Sequence, residues 1–354
     1  MFFFILFYMK RFAFTLLTTL LVSAISASAK SESSNKSKDL LSISGYLQAL
    51  YNWEYAGGET EDSSFRIRRA RVSFAGKIID NERVGRIDYR LQLDFAENPK
   101  IVDAWVRYRP FTQLGIEVGQ FKIPLSIENS EYAPLKLEFI DYSLVVQRLV
   151  RMSSNDVSGI SSTGRDCGAQ LYGGFFKREG FNIINYNLAI FNGNGINAKK
   201  DSNKSKDFVG RITLQPIKEL SVAGYYQYGE GNFGDNKYVD YQRYGGGVAY
   251  DSSSYFARSE YIRGDTGALI SEGAYIAAGW KFRTAKSGDG LVGARFDYFD
   301  SDIHDSSCEI HYTLGAAYQP WRYLRLQLNY TLKQHQHLGK PITHAISVMV
   351  SGIF

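Results

Sequence analysis

The chain has 354 residues, 41 of them Lys or Arg against 36 Asp or Glu, for a formal charge of +5, with 33 glycines and only 7 prolines. So balanced a charge excludes nucleic acid as the partner, and two cysteines, Cys167 and Cys308, exclude a disulfide scaffold or a cysteine-rich metal centre. Abundant tyrosine (25) and phenylalanine (23) without long apolar runs in the body of the chain predict a sheet protein whose strands each show one face to lipid.

The N-terminal region reads as an export signal. Met9-Lys10-Arg11 is positively charged, Phe12 to Val22 is apolar, and Ala27-Ser28-Ala29 is a small-x-small cleavage site. Residues 1–29 therefore predict a signal peptide with Lys30 as the first mature residue; residues 1–8 lack the usual charge, which makes Met9 an alternative start. Lys10 and Arg11 interrupt the two apolar stretches, which argues against a membrane-spanning anchor of roughly 20 apolar residues. Residues 30–43 are a short polar lead of Ser, Lys and Asn.

From residue 44 onward one unit repeats: about ten residues of alternating apolar and polar character, then a turn. The predicted strands are 44–55, 65–77, 86–96, 101–109, 114–122, 164–175, 180–191, 206–215, 220–230, 240–250, 253–264, 272–284, 289–299, 308–318, 322–332 and 342–354, sixteen in all. In 87–95, Ile87, Tyr89, Leu91, Leu93 and Phe95 oppose Asp88, Arg90, Gln92 and Asp94; in 322–330, Leu324, Leu326, Leu328 and Tyr330 oppose Arg325, Gln327 and Asn329. Side chains alternate across a strand, so each segment has one apolar and one wet face. Tight connectors such as 110–113 and 216–219 alternate with longer ones at 192–205, 231–239, 300–307 and 333–341. A soluble sandwich would have strands of about five or six residues. The length, the alternating connectors and the export signal instead predict a transmembrane antiparallel β-barrel. An even strand count puts both termini on the periplasmic side. The final strand ends on Phe354, where a soluble chain would fray; an aromatic terminus predicts barrel closure and engagement of the outer-membrane assembly machinery.

Sixteen strands enclose a lumen too wide for side chains to fill. The alternation predicts a lumen lined by Arg69, Arg71, Arg90, Arg107, Arg109, Arg211, Arg243, Arg258, Lys281, Arg295 and Arg325, against Asp88, Asp94, Asp103, Glu117, Asp166, Glu260 and Asp297. Rings of basic groups raise local anion concentration, so the expectation is passive diffusion of small hydrophilic solutes with a modest preference for anions. Arg90, Arg107 and their neighbours equally fit as partners of acids on adjacent strands. The longest connector, 123–163, carries Leu125, Ile127, Leu135, Leu137, Phe139, Ile140, Leu144, Val145 and Val146, too apolar for a loop in water. It is predicted to fold back into the barrel as a constriction, with Tyr142, Arg148 and Arg151 at the opening beside Glu128, Glu131, Glu138 and Asp141.

No catalytic, metal or cofactor role is predicted. His335-Gln336-His337 and the pair His344 and Ser347 are the only features of that kind, and the former lacks a nearby carboxylate or cysteine to complete a ligand set. The cysteines read as small wall residues. A non-conducting adhesive barrel is the other alternative, but the polar lead is too short for an anchoring domain.

Several motifs together resemble the phosphate-selective porin O and P family, in a form like those of Bacteroidetes. They are Phe65-Arg66-Ile67-Arg68-Arg69-Ala70-Arg71-Val72-Ser73-Phe74, Tyr89-Arg90-Leu91-Gln92-Leu93-Asp94-Phe95, Asp103-Ala104-Trp105-Val106, Gly119-Gln120-Phe121-Lys122-Ile123-Pro124, Gly164-Arg165-Asp166 and Asn192-Gly193-Asn194-Gly195. The resemblance implies a sixteen-stranded, trimeric outer-membrane porin with an inward-folded third loop, and with basic residues that guide phosphate-like anions. Within Phe139-Ile140-Asp141-Tyr142-Ser143-Leu144, Tyr142 stands where many relatives carry a basic residue. The implication is therefore a porin rather than a phosphate-specific one.

Overall fold

The computed structural model describes residues 40–354, apart from 82, 202, 204, 234–235, 268, 285–287, 306 and 337–339. Within the described residues the chain forms the unit Ile43–Phe354. The expected leader, 1–29, and most of the polar lead lie outside the described residues.

This unit is a closed barrel of sixteen strands, each hydrogen-bonded to its sequence neighbours. In chain order they are β1 (Ser42–Ala56), β2 (Glu59–Asn81), β3 (Gly85–Asp94), β4 (Lys100–Phe111), β5 (Leu114–Lys122), β6 (Arg165–Arg178), β7 (Phe181–Phe191), β8 (Asp207–Ile217), β9 (Leu220–Phe233), β10 (Asn236–Asp251), β11 (Tyr255–Asp265), β12 (Ile270–Thr284), β13 (Gly288–Asp302), β14 (Ser307–Trp321), β15 (Leu324–His335) and β16 (Thr343–Ile353). Two short helices, α1 (Ile127–Glu131) and α2 (Leu144–Leu149), sit between β5 and β6. The chain closes on itself where β1 pairs antiparallel with β16, Tyr46 opposite Ile353. Beyond that register the Gly45 amide donates to the Phe354 carbonyl (2.9 Å) and the Phe354 amide to the Gly45 carbonyl (3.0 Å). Closure removes both sheet edges, which the hydrocarbon region of a bilayer would not tolerate.

The sixteen strands are those expected, but several run longer. β1 and β2 are separated only by Gly57 and Gly58, both at positive φ, and β2 extends over 23 residues. The expected long connectors 231–239 and 300–307 are largely hairpin, because β9–β10 and β13–β14 go on pairing past them. Backbone pairing needs no apolar face, so strands project beyond the stretch in which alternation is visible. The long connections that remain are 123–164 and 192–206.

The outer face is apolar. Ile212, Leu314, Leu328 and Val350 are exposed, while their neighbours Arg211, Thr313, Gln327 and Ser351 are buried. Near the short-turn end Phe111, Tyr250, Tyr255, Trp280, Trp321 and Tyr323 are exposed, an aromatic girdle of the kind that sits at a membrane interface. Leu314 is the midpoint of β14. Leu314→Arg is expected to cost about 2–4 kcal/mol of barrel stability in lipid vesicles, measured by urea unfolding. A cost near zero would mean that this face does not meet hydrocarbon.

The cysteines are free: Cys167 is exposed and Cys308 buried, the latter donating to the Gln336 side-chain oxygen (3.4 Å).

Candidate functional site: the lumen and its inner loop

The segment 123–164 touches nearly the whole circumference of the barrel. It bonds to Arg68 on β2, Arg211 on β8, Arg243 on β10, Arg258 and Glu260 on β11, Asp297 on β13, Glu309 on β14 and Arg325 on β15. A single segment can reach all these strands only from inside. Its apolar residues account for much of the core: Leu125, Leu137, Phe139, Val145, Val146 and Leu149 are fully enclosed, with Phe256, Ile262, Tyr275 and Phe299 from the wall. The wall makes room for them with glycine. Phe139 seats over Gly315, where an added Cβ would stand 2.7 Å from its ring; Val145 seats over Gly273 and Leu149 over Gly264.

Buried charge latches the loop to that wall. The Glu260 carboxylate accepts from the amides of Ile127 (2.6 Å) and Glu128 (2.9 Å) and from the hydroxyls of Ser126, Tyr225 (2.9 Å) and Tyr275 (2.7 Å). It thereby satisfies the free N–H groups at the start of α1. Ser126, the N-cap, holds a left-handed φ of 73°, strained for a non-glycine residue; its hydroxyl also accepts from the Asn129 amide (3.2 Å). Asp297 accepts from the Leu144 amide at the start of α2 (2.9 Å), and Glu128 accepts from the Ser143 amide (2.7 Å). Arg258 binds Glu128 (3.1 Å) and Glu138 (2.9 Å) and lies 3.9 Å over the Tyr132 ring. Arg243 binds Asp156 (2.9 Å). Arg151 binds Asp166 and Asp207, both at 3.0 Å; these acids and Tyr241 hold its guanidinium charged against the cost of burial.

This arrangement corrects the predicted opening. Arg151 is fully buried and does not reach it. Arg148 is turned away into a two-pronged ion pair with Glu309 (2.6 and 2.7 Å). Tyr142 is buried, donating to the Tyr132 carbonyl (3.0 Å), and lines a small cavity of about 90 Å³ with Arg68, Arg69, Arg71 and Asp141. Burial would raise the Asp141 carboxyl, but Arg68 beside it, then Arg69 and Arg295, hold it below the ordinary carboxylate value. Arg243, Arg258 and Arg295 do face inward, but they are closed off from solvent; Arg295 is spent on Asp297 (2.8 Å) and the Asp141 carbonyl (2.8 Å). Arg211 pairs with Glu131 and Lys281 with Asp251.

What stays open is bordered by nearly every strand, with Arg90 and Arg107 on one side and Asp251, Lys281 and Arg325 on the other. A cavity of about 1130 Å³ reaches from the loop to the short-turn end, where Lys218, Glu219, Ile353 and Phe354 line it. Arg71, Pro134 and Arg165 border both this cavity and the smaller one, so the two adjoin between the loop and β2. Arg71, Arg90 and Arg107 line the larger cavity but pair with Asp94 (2.8 Å), Asp103 (3.6 Å) and Glu117 (3.0 Å). Arg109 is exposed near the β4–β5 turn. Among the cations beside the loop, Arg69, Lys122 and Arg325 bond to neutral oxygens: Arg69 to the Gln48 side chain (2.9 Å), Lys122 to the carbonyls of Asn129 (2.5 Å) and Tyr132 (3.1 Å), and Arg325 to the carbonyls of Leu135 and Leu137 (2.7 Å).

Lys122 and Arg165 were missed by alternation. Phe121 keeps the inward row of Glu117, and Lys122, next in sequence at the end of β5, also turns to the loop. Arg165 follows the left-handed Gly164 (φ 71°) and pairs with Asp103 (2.6 Å). The histidines differ from expectation in one respect. Glu309 lies 4.0 Å from His335 and 3.9 Å from His311, so a carboxylate is near after all; His337 lies outside the described residues. No metal-holding group of three His, Cys, Asp or Glu occurs among the described residues. His344 bonds Tyr330 (2.7 Å) and Ser347 bonds Asn52 (2.9 Å), from opposite faces of β16, so they form no dyad.

The family model "Phosphate-selective porin O and P" matches residues 47–227, half of the chain. The chain belongs to the phosphate-selective porin O and P family. It is thus an outer-membrane porin, and its fold agrees with solved porin barrels. An anion-selective porin from Comamonas acidovorans superposes with a TM-score of 0.67 at 11% identity, over 89% of this chain and 99% of that one. OmpT, an outer membrane protein of Vibrio cholerae solved in a trimer form, gives 0.61 at 9% identity over 89% and 100%. The outer membrane channel DcaP of Acinetobacter baumannii gives 0.59 at 13% identity over 89% and 97%. No curated protein matches this porin by sequence.

Proposed function

We propose that this porin is exported by residues 1–29, inserted by the barrel-assembly machinery through its exposed Phe354, and assembled as a homotrimer. In this reading it passes small hydrophilic solutes passively and favours anions, phosphate among them. By its motifs it is of the Bacteroidetes type. The trimer form of a similar barrel supports the assembly. The observation that carries the anion preference is the set Arg69, Lys122 and Arg325, bonded to neutral oxygens and standing around residues 129–142 of the loop. A cation whose partner is a carbonyl has no carboxylate beside it to cancel its field, whereas one paired with a carboxylate contributes mostly a local dipole.

The purified protein is expected to form stepwise channels in planar bilayers, with a reversal potential in a KCl gradient displaced toward the chloride equilibrium potential. Replacing chloride by phosphate should leave a measurable current. A displacement toward potassium would overturn the anion preference, and absence of channels would favour a structural barrel.

A further inference from the structure

We propose that Trp105, flanked by Arg90 and Arg107, forms a stacking subsite for small organic anions with a flat, unsaturated body, of which aromatic carboxylates are the simplest. The proposal rests on the porin reading and specifies its solute class. The inner row of β4 reads Asp103, Trp105, Arg107 and Arg109, so an indole faces water inside a tube whose outer face would have buried it in lipid. Trp105 packs partly against the core around Phe121, but it also lines the 1130 Å³ cavity. Its surroundings suit a ligand better than a pillar. Arg90 lies directly opposite on β3. Arg107, two residues on, holds its guanidinium 4.3 Å from the ring centroid. Gly119, opposite on β5, has no side chain to lay over the ring, and its φ of 131° keeps it glycine.

The acids behind this site leave the arginines free to bind. Asp103 and Glu117 are 8% and 2% exposed, while Arg90 and Arg107 are 39% and 32% exposed. The carboxylates therefore sit in the wall and hold one side of each guanidinium, while other N–H groups reach lumen water. A solute carboxylate can accept from both arginines without displacing their partners. Its ring would then meet Trp105 in offset or edge contact. Inorganic phosphate has nothing to offer the indole, so Trp105 selects for the organic body of the solute.

The test uses the intact porin in planar bilayers with KCl. Benzoate, or cyclohexanecarboxylate as its non-flat counterpart, is added on the side of the chain termini. Benzoate is expected to produce resolved current interruptions, and cyclohexanecarboxylate markedly shorter ones. Trp105→Leu should shorten the benzoate interruptions roughly fivefold, as loss of an aromatic contact predicts. Trp105→Phe should restore most of the dwell time, and Arg90→Gln should shorten it by weakening the carboxylate contact. Channel formation and the heat-dependent gel mobility of the Trp105 variants should persist, showing that the barrel is intact. Equal dwell times for both carboxylates, no interruptions at all, or no effect of Trp105→Leu on benzoate would overturn the subsite while leaving the channel reading in place. Loss of all conductance in the wild type would instead sink the porin reading itself.

Discussion

Replacing Glu260 by alanine is expected to release the inner loop while leaving the barrel closed. The side chain is buried and its two oxygens serve two amides and three hydroxyls, four of these contacts at 2.6–2.9 Å. Hydrogen bonds to a charged acceptor are the stronger kind, and orphaned buried donors cost the most when the partner is removed. The loss should be about 3 kcal/mol or more, since each buried donor left without a partner costs about 1–3 kcal/mol. Most of it falls on the loop, because the strand hydrogen bonds of β11 to β10 and β12 are untouched. Glu260→Gln should do nearly as much harm, since its amide N–H₂ would point donors at donors. The expected readout is higher single-channel conductance, greater open-channel noise and protease cleavage within residues 123–163. The heat-dependent gel mobility of the folded barrel should persist. Wild-type noise together with an uncleaved loop would show that Arg258, Arg243 and Arg151 suffice to hold it.

Neutralising Arg69, Lys122 and Arg325 together, each to glutamine, is expected to abolish most of the anion preference. Their bonded partners are amide or carbonyl oxygens, so no acid is stranded by the change. The lumen simply loses three basic groups that stand beside the loop without a carboxylate partner. At an ionic strength of about 0.1 M the screening length is about 10 Å, comparable with the pore, so the reversal potential should move close to zero there and less at high salt. Removing Arg107 and Glu117 as a pair is the matching control, because it leaves the charge sum unchanged and should leave chloride selectivity where it was. If the triple variant kept its selectivity, the preference would have to reside in the paired arginines of β2–β4.

The wall of the barrel is legible because it is local. In β3 and β15 the rows Asp88–Asp94 and Arg325–Asn329 face inward as their alternation demands, since successive side chains of a strand must point to opposite faces. Sixteen such segments, an even number, and an aromatic end at Phe354 sufficed for the closed architecture. Alternation failed where strands end: at the close of β5, where Phe121 and Lys122 both turn to the loop, and where β9 and β10 go on pairing beyond the apolar stretch.

The sequence by itself thus determined the strands, their inward rows and the presence of an inner loop too apolar for water. Only the tertiary structure decided which of the inward cations still face solvent. Arg243, Arg258 and Arg295 carry the same signal in their strands as Arg90 and Arg107. They differ because the loop lies against β10–β15, where Gly264, Gly273 and Gly315 leave space for it, and its acids Glu128, Glu138 and Asp156 take up Arg258 and Arg243. Facing inward is a property of one strand and its period of two. Being free to meet an anion depends on what a segment distant in sequence brings across the lumen, and no periodicity within a strand records that.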